Sequence, residues 1–110
     1  MDLHIPHLAS IETASVIRGW VRGGQLDQSE AVQAVDRLSE LPAERHDHEP
    51  YLSRVWALQH NLTAYDAVYV ALAEALDAPL LTCDARLARA PLTGVTIELI
   101  TAAPEVGSQA

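Results

Sequence analysis

Asn61-Leu62-Thr63-Ala64-Tyr65-Asp66-Ala67-Val68-Tyr69-Val70-Ala71-Leu72-Ala73, and after it Leu81-Thr82-Cys83-Asp84, is the stretch whose reading decides the fold. From Thr63 to Asp77 apolar residues fall on every face of a helical wheel, so this segment is expected to be a helix inside the protein. Pro79 then starts a new element. Leu80-Leu81-Thr82-Cys83 is a short apolar run bounded by turn-like residues, the pattern of a strand in a parallel sheet buried on both faces. Asp84 to Ala90 is expected as a short helix and Val95 to Ile100 as a last strand.

Working outward, Leu3-His4-Ile5-Pro6 reads as a short extended entry, because the residue before a proline is pushed toward the β region. A helix follows from Leu8 to Arg22, with apolar residues at Leu8, Ile11, Ala14, Ile17 and Val21 and a stop at Gly23-Gly24. A second helix opens at Asp27. There Glu30 stands three residues on, as in a capping box, and Ala31, Val35 and Leu38 form the inward stripe before Pro42. Ala43 to Glu49 is polar and reads as either an edge strand or a loop. Pro50 at a first turn, then Leu52, Val55, Trp56 and Gln59, gives a third helix ending near His60-Asn61. Strands alternating with helices make an α/β fold. The length of 110 residues suits one domain. Residues 1–100 are assigned to it and residues 101–110 to a frayed C-terminal tail.

Nearly half the residues are apolar, a fifth are charged, and phenylalanine is absent, so Leu, Val, Ile and Ala must fill the core. The longest apolar run, Ala67 to Ala73, is far shorter than the ~20 residues that cross a bilayer, so no membrane association is expected. The N-terminus lacks the basic and apolar segments of a signal peptide. A single cysteine, Cys83, excludes an internal disulfide and points to a cytoplasmic protein. Free cysteine of this kind is expected to be a small buried apolar residue. The net charge of −8 excludes a broad basic surface for nucleic acid, which would have to be held locally. All basic residues are arginines, and they are scattered along the chain.

Three acids stand out. Asp66 is the only charge between Asn61 and Glu74, and an unpartnered carboxylate inside a protein is costly. Thr63-x-x-Asp66 also resembles a capping box, which would account for it. Asp84 follows a strand at the carboxyl edge, where open α/β sheets place their ligands, yet it equally suits a helix N-cap. Glu12 lies at the margin of the first helix's apolar stripe. Taken together they suggest more. Two carboxylates about 4 Å apart repel by roughly 4 kcal/mol at an effective dielectric near 20, so a converging set holds a proton or a cation. Magnesium suits such a site because it takes oxygen ligands and keeps several waters, and manganese is chemically similar. His46-Asp47-His48 gives zinc little support, since no third nitrogen or sulfur ligand stands at a recognisable spacing. No glycine-rich phosphate loop and no Gly-x-Ser-x-Gly elbow occurs.

The Asn61-to-Ala73 segment, followed by Leu81-Thr82-Cys83-Asp84-Ala85-Arg86-Leu87, resembles PIN-domain proteins of the VapC toxin type. Pro6-His7-Leu8 with Glu12, and Arg22-Gly23-Gly24-Gln25-Leu26, match the same order of elements. The resemblance implies an α/β/α sandwich around a parallel sheet. It also implies a magnesium- or manganese-dependent ribonuclease, a hydrolase paired with a cognate antitoxin protein in a toxin–antitoxin system and forming a homodimer. Carried over residue by residue, Glu12, Asp66 and Asp84 are the catalytic and metal-binding acids. The family's first acid, at the end of a preceding strand, has no match, and Asp2 stands too early to replace it. The expectation is therefore an N-terminally truncated or degenerate domain. A catalytically impaired module that still binds an antitoxin or self-associates is the alternative reading. Arg86 and Arg89, near Asp84, could reach substrate phosphates or simply be solvated.

Overall fold

A computed structural model describes residues 2–100 of the chain. The tail assigned to residues 101–110 lies outside the described residues. The chain divides into two compact units, Met1–Leu52 and Ser53–Ala110.

In the first unit, β1 (His4–Pro6) leads into α1 (Leu8–Arg22), α2 (Gln28–Glu40) and β2 (Glu44–His46). The two strands pair in parallel, His4 opposite Glu44 and Pro6 opposite His46, so the polar 43–49 segment is strand over Glu44–His46 and irregular after it until the turn that begins at Glu49. The expected bounds of α1 are the observed ones. Its end is made by Gly24 at φ +79°, a left-handed conformation that costs glycine nothing, and the Gln25 N–H donates back to the Trp20 carbonyl. The capping box of α2 is complete: Asp27 Oδ1 accepts the Glu30 N–H at 2.8 Å, and Glu30 Oε1 accepts the Asp27 N–H at 3.2 Å. Helices α1 and α2 pack on each other, with Ile17 and Ala31 buried. Two expected core positions differ. Ile11 is 70% and Val35 43% exposed, because the inward stripe narrows to Ile17 and Ala31.

A 3-10 turn at Glu49–Tyr51, with proline in its first turn, ends the first unit and runs on into α3 (Leu52–Ala57), which opens the second. Then come α4 (Ala64–Leu76), β3 (Leu80–Thr82), α5 (Ala85–Ala88) and β4 (Ile97–Leu99), with β3 and β4 parallel. Helix α4 is the core: Ala67, Val68, Val70, Ala71, Leu72 and Ala73 are all buried, as the wheel requires. Its surface begins at Tyr65, which is 61% exposed on the first turn. The helix closes at Asp77 in the left-handed region, φ 50°, where the Ala78 N–H reaches the Ala73 carbonyl and Pro79 prevents continuation. Arg54 ties α3 to α4 by a two-pronged pair with Glu74, both N···O distances 2.8 Å. This pairing raises the arginine's pKa.

Strand β3 corrects two expectations. Leu80 and Thr82 share a half-buried face, but Leu81 on the other is 50% exposed. The run is thus not buried on both faces: the face that carries Leu81 is open to solvent. Cys83 is exposed rather than buried, since it lies past the strand in the bend before α5. The α/β class and the parallel pairing are as expected. No helix among the described residues is long and apolar enough to cross a membrane.

Candidate active site

The sequence places Asp66 in the first turn of α4 and Asp84 at the N-cap of the next helix, α5. Thr63 caps α4, its hydroxyl accepting the Asp66 N–H at 3.2 Å, so Asp66 sits in the first helical turn. The reciprocal half of the box, present at Asp27, does not form at this cap among the described residues. Among the described residues nothing donates to the Asp66 carboxylate. Asp84 is the N-cap of α5: its Oδ1 accepts the Arg86 N–H at 2.8 Å and the Leu87 N–H at 3.4 Å. The Asp84 N–H in turn donates to the Thr82 hydroxyl at 3.0 Å, which fixes the loop at the end of β3. Capping uses one carboxylate oxygen. The other is uncommitted among the described residues.

Both aspartates line one cleft with Asn61, Leu62, Thr63, Arg86, Leu87 and Ala90. Each is half-buried, so each is accessible from the cleft yet partly shielded from water. Within the second unit the structure therefore brings Asp66 and Asp84 together. Glu12 lies half-buried on α1 in the other unit. Arg86 also reaches this cleft, with its Nε 3.9 Å from Asp84 Oδ1, whereas Arg89 caps the end of α5 on the exposed surface. An 87% exposed guanidinium at that distance is a weak partner and remains able to turn toward an anionic ligand.

The donor set fits a hard divalent cation. It offers carboxylate oxygens with the Asn61 amide nearby, and neither sulfur nor imidazole lines the cleft. Sequence reasoning paired Thr63 with Asp66 as a helix cap but missed Thr82 as a positioning group, although the signal was present, a threonine two residues before the acid.

Comparison with known proteins agrees with this architecture. The PIN domain matches residues 1–92. The chain is 45% identical over 96 residues to Ribonuclease VapC1 of Mycobacterium tuberculosis, covering 86% of this chain and 72% of that protein. It is 39% identical over 98 residues to VapC ribonuclease Mb0985 of Mycobacterium bovis, covering 84% and 77%. Ribonuclease VapC12 of Mycobacterium tuberculosis is 35% identical over 98 residues, covering 89% and 76%. The chain belongs to the PIN-domain family.

Proposed function

We propose that this chain is a metal-dependent endoribonuclease, the toxin of a type II toxin–antitoxin pair, acting in the cytoplasm. The observation that carries the reading is the convergence of Asp66 and Asp84 on one cleft in a chain of this family. The name ribonuclease borne by its relatives supports RNA as the substrate. Residues 1–100 would act as one PIN-like domain, a reading supported by the family match running across both units.

Asp66, Asp84 and Glu12 are assigned as the acids that hold magnesium or manganese. When bound, the cation would offset phosphate charge and acidify a water. The protein's part is positional. Thr63 holds the backbone of Asp66 at the α4 cap, while Thr82 and the α5 cap hold both the backbone and one carboxylate oxygen of Asp84, so that carboxylate needs little reorganisation on binding. Arg86 is placed to meet a non-bridging phosphate oxygen as it enters the cleft. In the hydrolysis a water oxygen bonds to phosphorus and the bond from phosphorus to the leaving ribose oxygen breaks. The leaving oxygen takes up a proton.

A cognate antitoxin and a second copy of the chain are the proposed protein partners. Support comes from exposed apolar side chains on α1 and α2, Val16 and Trp20 on one and Val32 and Val35 on the other, all at least 43% exposed and available for a partner to cover. Manganese titration by calorimetry tests the site itself. Saturable binding that weakens sharply in Asp66→Asn is expected, and undiminished binding in that variant would refute the assignment.

A further inference from the structure

We propose that His4, Glu44 and His46 form a second metal site, of different chemistry from the cleft and filled by zinc, that pins β1 to β2. The parallel register sets His4 opposite Glu44, and strand alternation puts His46 on the same face as Glu44. Arg45 falls on the other face, where its guanidinium donates to the carbonyls of Leu38, Leu41 and Ala43 and is taken up there. No cation therefore competes from that strand.

The distances suit a shared ion. His4 Nδ1 lies 2.9 Å from His46 Nε2 and 3.4 Å from Glu44 Oε2. All three donor atoms lie within 4.8 Å of one another. Zinc held at about 2.0–2.1 Å in tetrahedral geometry sets its ligand atoms about 3.4 Å apart, so the set closes around such an ion with small side-chain shifts. A proton explains the arrangement less completely. An N–H at His4 Nδ1 or at His46 Nε2 serves the contact between the two rings and leaves the exposed Glu44 carboxylate to water, so one proton does not bring all three groups together. A divalent cation accepts lone pairs from all three.

Two imidazoles and one carboxylate leave a fourth position for water. The 68% exposed Glu44 side chain marks the entry from solvent. Imidazole favours zinc, nickel and copper over magnesium and manganese, so this site and the cleft would sort metals by ligand type. The consequence is structural. Strands β1 and β2 are three residues each, and a link between positions 4 and 46 would hold them paired. The His7 N–H already bonds the His46 carbonyl at 2.8 Å, so the same link would anchor the start of α1.

The test is titration of the metal-free full chain with zinc chloride in excess magnesium, followed by cobalt substitution. One zinc per chain and the intense visible absorption of tetrahedral cobalt are expected. Affinity should fall by more than about 100-fold in His4→Gln and His46→Gln, beyond what losing an outer-shell partner costs. It should fall less in Glu44→Gln and stay unchanged in Asp66→Asn. Zinc binding equal to the parent's in both histidine variants would overturn the proposal, as would a weak octahedral cobalt spectrum in the parent, a measurement that requires no variant to fold. Binding is read without RNA cleavage, so this result and the ribonuclease reading fail separately.

Discussion

Asp66 and Asp84 face one cleft from the N-terminal ends of two helices, and only one of them spends its side chain on capping. Helix α4 is capped by the Thr63 hydroxyl, not by the Asp66 carboxylate. Structure and chemistry are therefore separable there. Thr63→Ala should cost about 1 kcal/mol of stability, the usual price of a lost N-cap. Asp66→Asn should leave the urea midpoint almost unchanged while abolishing manganese binding. A large stability loss in Asp66→Asn would mean that the carboxylate is a structural group.

At Asp84 the two roles fall on one residue, and the choice of substitution separates them. Asparagine is as good an N-cap as aspartate. Asp84→Asn should keep the stability of the second unit and lose metal-dependent activity. Asp84→Ala should lose both, with a stability cost of about 1 kcal/mol. Equal activity in the parent and Asp84→Asn would remove Asp84 from the site.

What the sequence made legible was local. The bounds of α1, the Asp27 capping box and the apolar helix α4 each depend on residues within a few positions of one another, and each forms as read. Asp84 was placed at a strand's carboxyl edge and as a helix cap, and it is both. Readings that depended on what lies across the fold fared worse. Cys83 and Leu81 read as core from their neighbours, but Cys83 falls in the bend past the strand and Leu81 on a face left open, which neighbouring residues alone do not reveal. The His4–His46 contact joins positions 42 apart, and it was hidden while the 43–49 segment stood between strand and loop. Spacing rules search along the chain, whereas this cluster is assembled by strand register.

The α2 cap predicts a pH dependence. Hydrogen bonds from the Glu30 N–H and then the Ser29 hydroxyl hold the Asp27 carboxyl below its ordinary value of 3.8. A depressed folded pKa means that the stabilisation is fully present above 3.8 and is lost as pH falls through the lower folded value. Urea midpoints of the parent and Asp27→Ala should differ most at neutral pH, and the gap should narrow in acid as the Asp27 carboxyl is protonated. A gap constant across that range would contradict the cap assignment.

Arg54 and Glu74 should show measurable coupling. The pair is bidentate but the arginine side chain is 46% exposed, so solvent screens it and the coupling should be about 1 kcal/mol or less. The Glu74 side chain is only 19% exposed. Removing Arg54 alone should therefore cost more than removing both partners. A double-mutant cycle at low and high salt reads both effects, and additive losses would show the pair to be energetically silent.

The most direct test of the central claim is RNA cleavage by the purified chain with and without a divalent cation. Cleavage that EDTA abolishes, added manganese restores, and both Asp66→Asn and Asp84→Asn eliminate is the predicted result. Cleavage that persists in EDTA, or in both variants at the parent rate, would contradict it.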